Sequence, residues 1–537
     1  VDPTVTLVPP NPFAIADSPS DRKKHRLTYP APDSLRDSPL IRIATSGGKR
    51  GMGAGGHGVQ PGPILAAEGA VAMEGLEVPS ATPNPAYDAL LSNAPRGAEV
   101  ERTLARLNAA YVNKDAQFTR DGKPYKCQYS QIYFQRLMRL KQVLQRRVQQ
   151  RWPQVPVVNI LDLKPDEECC VVGTIFKDMK LKPSIMSEYA SDPVVAPALA
   201  GAKLIDPSDS LVLEDESARM TMAAAASSPG VLDGLVTGVI TAVRGKDNEG
   251  VFEVTDILLP GMAPQAPLPE REDDAYVAIM SGMGLGKADQ AGEEALRTQL
   301  AIDYLTGLLG SPQDQESAAK VVRVVVAGGI VEDNQALAGL GTRSNARAKM
   351  TSISLVKDAD MALTQLAAGV PVDVMPGADD PSTASLPQQP MHRCLMPGAA
   401  GFPTVTRATN PHAFEVGGVA FLGSSGQTVD DIYKFSTCED RMDILAATLE
   451  WRHLSPTSPD TLPTFPFEDR DPFILTESPH CYFVGNQPEF ATRLIQGPDG
   501  VPARLICVPK FSETGDIVLV NIKTLACRIV HFDEPML

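Results

Sequence analysis

The sequence predicts an α+β protein in which a small β-barrel is followed by an α/β sandwich, with a coreless tail in front of both. Three observations lead there. Short runs with apolar residues at period two fill residues 155–260, and buried strands alternate with helix-period segments over 276–375. The first hundred residues hold 14 prolines and 11 glycines but only three aromatics. Period two puts one side of a strand into a core, and strand–helix alternation is the mark of parallel strands under covering helices. A Pro- and Gly-rich stretch with few aromatics buries too little apolar surface to offset the entropy of ordering it.

In chain order, residues 1–98 are expected to be a disordered low-complexity tail. Gly47 to Gly58 carries Lys49 and Arg50, but it follows no strand and opens no helix, so it is not read as a phosphate loop. Starting at Val1 rather than Met, the sequence reads as a fragment or a processed form.

Residues 99–153 are expected to form a helical segment packed on the α/β part, with Tyr133, Leu137, Leu140, Leu144 and Val148 along one face. Arg136, Arg139, Lys141, Arg146, Arg147 and Arg151 fall mainly around the rest. Such a strip either touches nucleic acid or is a solvated, partner-facing surface. The formal net charge of −16 favours the second, because nonspecific nucleic-acid binding draws on clustered Lys and Arg.

Residues 154–265 are expected to hold the barrel. Its strands are read at Glu168 to Phe176, Ser210 to Leu213, Ala218 to Met222, Leu235 to Val243 and Val251 to Leu259. Lys246-Asp-Asn-Glu-Gly250 turns the last pair, Asp215-Glu216 the pair before it, and Ala190 to Ala202 and Ala223 to Gly230 are loops. Periodicity alone allows another small barrel or a sandwich as well. Single-strand-binding barrels pair basic grooves with stacking aromatics, and this stretch has few of either.

Residues 266–537 open with an acidic, Pro-rich linker and continue with strands at Tyr276 to Met280, Val321 to Ala327 and Val372 to Met375. Helices are read at Glu293 to Leu309 and Asp358 to Ala368. A strand-rich part follows: Ala413 to Gly423, a helix at Arg441 to His453, then strands at Cys481 to Val484, Ala503 to Val508, Ile517 to Ile522 and Ala526 to Phe532.

At 537 residues the chain is long enough for two to three domains, and its 43% hydrophobic and 21% charged residues are those of a globular protein. Its eight cysteines include no Cys-x-x-Cys, so neither a zinc ribbon nor a disulfide framework is supported and a reducing compartment is expected. No apolar run is long enough for a membrane span.

Several motifs fail on counting. Gly282-Met-Gly-Leu-Gly-Lys287 lacks the glycine a phosphate loop needs at Ser281 and the hydroxyl it needs at Ala288. Gly423-Ser-Ser-Gly-Gln427 lacks the last glycine of a nucleophile elbow and is read as a hairpin end. Asp379-Asp380 and Asp430-Asp431 have no second ligand cluster beside them, and His453 and His480 have no evident carboxylate partner.

The ends of the predicted strands resemble a metallophosphoesterase framework without its ligands. Ser281 and Met283 stand where Asp-x-His is expected, Gly328-Gly329 where Gly-Asp is, and Gly377-Ala378-Asp379-Asp380 where Gly-Asn-His-Asp is. Gly485-Asn486-Gln487-Pro488 stands where Gly-His-x-His would supply the last ligands. A two-metal site needs converging imidazoles and carboxylates. Catalytic, metal and cofactor residues are therefore expected to be none.

Beside these positions run Cys170-Val-Val-Gly-Thr-Ile-Phe-Lys-Asp-Met, Leu211-Val-Leu-Glu-Asp-Glu, Pro371-Val-Asp-Val-Met-Pro-Gly, Leu386-Pro-Gln-Gln-Pro, Phe421-Leu-Gly-Ser-Ser-Gly-Gln and Asp469-Arg-Asp-Pro-Phe-Ile. Together, over about residues 105–535, they resemble the small (B-type) subunits of the replicative DNA polymerases alpha, delta and epsilon, the delta branch above all. The resemblance implies an OB-fold barrel, an inactive calcineurin-like phosphoesterase domain and a noncatalytic scaffold in DNA replication and repair. It implies a nuclear subunit with two partners, the cysteine-rich C-terminal module of the catalytic subunit and the N-terminal domain of a third subunit. DNA would be met only through the holoenzyme. The alternatives are a metal-dependent phosphodiesterase or nuclease with an unconventional site and, disfavoured by charge, a single-strand-binding protein.

Overall fold

The computed structural model describes residues 105–120, 128–182, 203–285, 291–331 and 346–532. The expected tail over 1–98, the loop over 190–202 and the segment around Lys287 lie outside them.

The chain enters through a short strand β1 (Tyr111–Asn113), a 3-10 turn at Asp115–Phe118 and the helix α1 (Ser130–Arg151). The helix is thus shorter than the expected 99–153 span. The Asn113 side chain accepts the Asp115 N–H and donates to the Asp115 carboxylate, a local turn that competes with helix. The expected side of packing also changes. Leu140, Leu144, Val148 and Trp152 pack on Cys170, Val172, Ile240 and Ala242 of the barrel, and the α/β part contributes Ile474. Only the first turns reach further into it, where Ile132 meets Phe465 and Phe467.

The barrel closes in the order β2-β3-β4-β6-β5, from β2 (Cys169–Asp178), β3 (Ser210–Glu214), β4 (Arg219–Ala224), β5 (Ile240–Asn248) and β6 (Val251–Leu258). The fourth strand begins five residues later than expected, because residues 231–237 hold turns whose Leu235 and Val236 still enter the core.

Two six-stranded sheets face each other beyond the barrel. One runs β10-β9-β8-β7-β16-β17, the other β1-β11-β12-β13-β15-β14. The first is built from β7 (Tyr276–Met280), β8 (Val321–Ala327), β9 (Val372–Met375), β10 (Val405–Arg407), β16 (Asp516–Asn521) and β17 (Cys527–His531). Helices α2 (Ala291–Thr306) and α4 (Ala346–Gly369) cover its outer side, burying Leu305, Leu363 and Leu366 on Val324, Val326 and Leu519. The short α3 (Pro312–Ala319) leads into β8 with a capping box in which Ser311 and Asp314 satisfy each other's backbone.

The second sheet takes β11 (His412–Val416), β12 (Val419–Ser424), β13 (Cys481–Gln487), β14 (Ala491–Gln496) and β15 (Pro502–Pro509). The single strand expected over Ala413 to Gly423 is a hairpin turning at Gly417-Gly418. The hairpin end expected at Gly423 to Gln427 is instead a strand-to-helix turn into α5 (Gln427–Phe435), which is followed by α6 (Arg441–Glu450). Between the sheets lie Val277, Ile279, Val325, Phe414, Phe421, Phe483, Ile506 and Val518.

The far side of the second sheet has no layer boundary. Val429, Ile432, Leu445 and Leu449 of α5 and α6, Tyr482 and Val484 of the sheet, and Val171, Ile175, Phe252 and Val254 of the barrel form one buried cluster. Among the described residues, no helix is long and apolar enough to cross a membrane.

Candidate functional site

The carboxyl ends of β7, β8, β9, β12 and β13 converge, as strand ends in α/β sheets do at ligand sites. Every position singled out at the strand ends can be placed. Ser281 is buried; its Oγ donates to the Pro509 carbonyl at 2.9 Å and accepts from the Asn486 N–H at 2.9 Å. Met283 is buried in the core under α2 and α4. Asn486 sits at φ 56°, a left-handed conformation that Asn tolerates, and its side-chain Nδ2 donates to the Ser425 carbonyl at 2.7 Å.

The Gly329 backbone packs against the backbones of Gly282 and Gly377. At Gly329, with φ 68°, a Cβ would lie 2.5 Å from Asn486 Oδ1 and 2.9 Å from Gly282 Cα. At Gly377 it would lie 2.5 Å from the Gly329 nitrogen. Side chains at either position need the loops to part.

Asp380 closes the group from beneath. Its carboxylate accepts N–H bonds from Gly377 at 2.7 Å, Gly329 at 2.8 Å, Ile330 at 2.9 Å and Val331 at 3.0 Å. Burial pushes its pKa up to about 6 and the four donors oppose that rise, so it remains an anion at neutral pH. A carboxylate so engaged has little left for a cation. The Asp430 carboxylate pairs with Arg441, and Asp431 accepts from the Thr457 and Thr461 hydroxyls.

Beside this lies a buried amide network. Asn410 Nδ2 donates to Gln388 at 2.8 Å, Ser425 at 2.8 Å and Gln427 at 2.9 Å, and Gln388 Nε2 donates to the Gly377 carbonyl at 2.9 Å. Two motifs far apart in sequence, Leu386-Pro-Gln-Gln-Pro and Phe421-Leu-Gly-Ser-Ser-Gly-Gln, meet through it.

Family comparison follows this division. The profile described as "DNA polymerase delta subunit OB-fold domain" matches residues 128–257, and the B-subunit profile of DNA polymerases alpha and epsilon matches 277–492. A DNA polymerase delta small subunit of Arabidopsis thaliana is 42% identical over 439 residues, 81% of this chain and 98% of its own length. The chain belongs to the DNA polymerase delta small-subunit family. Delta small subunits of Drosophila melanogaster (there called subunit 2) and Saccharomyces cerevisiae are 35% and 30% identical, covering 80% and 76% of this chain and 98% and 90% of their own. The match to the barrel profile starts at residue 128, two residues before α1, in keeping with the packing of that helix on the barrel.

The two histidines singled out in the sequence, His453 and His480, are both buried, and in this small-subunit chain they serve the fold. His480 Nδ1 accepts the Ala420 N–H at 2.9 Å, and Nε2 lies 2.9 Å from the Ala266 carbonyl. His453 does have a carboxylate partner, Asp471, at 2.9 Å. Arg136, expected on an exposed basic strip, is buried with them and donates to Asp471 at 2.7 Å.

A second buried group has no counterpart among the sequence motifs. His412 lies between Asp115 at 2.8 Å and Asp373 at 3.3 Å, with Arg323 paired to Asp373 and resting on the Tyr111 ring at 3.4 Å. A signal is nonetheless present: Arg323 and Asp373 are charged residues inside apolar strands, where a partner is required.

Proposed function

We propose that the chain is a noncatalytic scaffold whose enzyme-like domain is kept for its shape. As a member of the small-subunit family it is an accessory subunit of DNA polymerase delta and works in DNA replication. The finer reading assigns an OB fold to about 154–265 and an inactive phosphoesterase-like domain to 266–537. It names the cysteine-rich C-terminal module of the catalytic subunit and the N-terminal domain of a further accessory subunit as partners, and the nucleus as the place of action.

The observation that carries this reading is the packing of Gly329 on Gly282 and Asn486. A divalent pair needs carboxylate and imidazole donors around an open space. Here the strand ends offer a serine, a buried methionine, glycines, an asparagine and one carboxylate, Asp380, already taken up by four backbone N–H groups, and the loops close on one another. Among the described residues, no group of three or more His, Cys, Asp or Glu could share an ion. The donor set does not fit a two-metal centre, so no chemical step is routed through one.

Two measurements test the reading. Elemental analysis of the purified chain is expected to find no stoichiometric transition metal, with no phosphodiester hydrolysis above background. Two bound ions and chelator-sensitive turnover would restore the nuclease alternative. Co-expression with the polymerase delta catalytic subunit is expected to give a stable complex, and failure to co-purify would overturn the scaffold.

A further inference from the structure

The outer face of α1 differs from the rest of the surface. Over 22 residues the helix has six basic residues and no acidic one, in a chain of net charge −16. Four of the six are engaged: Arg136 with Asp471, Lys141 with Glu216, Arg147 with the Leu259 carbonyl, and Arg151 near Asp256. Arg139 and Arg146 are exposed, one heptad apart, and form no ion pair among the described residues.

The same face shows apolar bulk at its amino end. Phe134 is 51% exposed and Met138 38%, one turn apart, and Tyr129 just before the helix is 47% exposed. Phe, Tyr, Met and Arg are the residue types enriched in protein interfaces, while Lys, Glu and Asp are depleted there. Between them stand Gln142, Gln145 and Gln149, which donate and accept without charge. The helix cannot rotate to hide this face, because Leu140, Leu144 and Val148 are in the core and Arg136 is bonded on the buried side.

We propose that this face of α1, about 33 Å long by helix geometry, is a docking surface for an acidic segment of another polymerase delta subunit. The segment sets apolar side chains on Phe134 and Met138 and carboxylates on Arg139 and Arg146. Charge complementarity selects the occupant: guanidinium forks unopposed by any acid on their own helix take carboxylates in bidentate pairs. Duplex DNA is a poorer fit, since phosphate contacts give no use for exposed Phe134 and Met138 and the whole chain is acidic. The proposal rests on the scaffold reading above and assigns it a surface.

The test co-expresses the full chain with the catalytic subunit and the further accessory subunit. Two variants are compared with wild type, Phe134→Ser/Met138→Ser and Arg139→Glu/Arg146→Glu. All four residues are exposed, so the thermal midpoint of each variant is expected to match wild type. Each variant is expected to weaken capture of one partner subunit by about tenfold or more. The charge reversal is also expected to remove the salt dependence of that capture. In the wild-type assembly, amide exchange along α1 slows.

Equal capture by wild type and both variants, with α1 exchange unchanged, would overturn the docking surface while leaving the scaffold standing. So would variants that assemble normally but lose affinity for a labelled DNA duplex, or that differ only in self-association by light scattering. Wild type capturing neither subunit sinks the scaffold reading and this surface with it.

Discussion

Arg136 and Asp471, 335 positions apart, meet in the core with Nε donating to Oδ2 at 2.7 Å. The same guanidinium donates to the Pro456 and Ser458 carbonyls, each at 2.7 Å, so a single side chain ties α1 to the segment after α6. Burial alone would raise the Asp471 carboxyl, but Arg136 and His453 override it and hold it well below the usual carboxylate range.

Arg136→Ala is expected to cost about 3–5 kcal/mol, because it leaves a buried carboxylate unpaired. Replacing both partners with apolar residues, Arg136→Met with Asp471→Leu, should recover much of that loss. Urea unfolding of the two singles and the double measures the coupling. A single variant within about 1 kcal/mol of wild type would refute the clamp.

Two histidines bound the stable pH range from opposite sides. Burial would lower His412, but its hydrogen bonds to Asp115 and Asp373 outweigh this and raise it to about 9. Its contribution is complete below the unfolded value of about 6.5 and is lost as pH rises toward 9. Burial and then Arg136 lower His453 to about 4, so its contribution holds above about 6.5 and is lost as pH falls toward 4. Asp380 and Asp431, raised to about 6 by burial, act with the opposite sign over the acid window. In thermal midpoints across pH, the His453 contribution is therefore read as the difference between wild type and His453→Gln, and the alkaline fall is expected to be absent in His412→Gln. An alkaline limb of unchanged depth in that variant counts against the assignment.

The core shared by barrel and second sheet predicts one unfolding transition. The chain's two tryptophans report from each side: Trp152 packs with α1 on the barrel, and Trp451 lies in the shared cluster. Tryptophan fluorescence and far-ultraviolet circular dichroism should give coincident curves. Phe252→Ala, a barrel change, should shift both by about 3–5 kcal/mol. A separate barrel transition would break the shared core into two.

Gly329→Ala is expected to destabilise by at least about 1–3 kcal/mol, since it adds a strained left-handed backbone to a close contact. Chemical unfolding checks it, with Gly401→Ala, where a Cβ meets nothing within 4 Å, as the control. Equal stability of the two variants would mean that the loops have room to part.

Much of the framework was legible because β-branched runs leave little choice. Tyr276–Met280, Val321–Ala327 and Val372–Met375 stand where they were expected. The helix Gln427–Phe435 was not seen, although Val429, Ile432 and Phe435 carry its period, because Gly-Ser-Ser-Gly before it looks like a turn. That turn is real, with Gly426 at φ 114°, but it starts a helix. Of the two edge strands that were missed, Val405–Arg407 spans only three residues, and in Ala491–Gln496 the polar and apolar residues do not alternate. Partners such as Asp471 for Arg136, or Asp115 for His412, are separated by hundreds of residues and have no local signature.

Among the described residues, the strand at Tyr111–Asn113 has its ladder partner at Phe414–Val416, and the first turns of α1 meet Phe465, Phe467 and Asp471. At synthesis rates of about 5–20 residues per second, those partners leave the ribosome on the order of tens of seconds after the segments that need them. Over that interval Ile132 lacks the Phe465 and Phe467 side chains that cover it, and Tyr111 lacks its ladder partner. The strand Tyr111–Asn113 and the first turns of α1, though among the first described segments to be made, are therefore among the last to be completed, while the rest of α1 can already settle on the barrel.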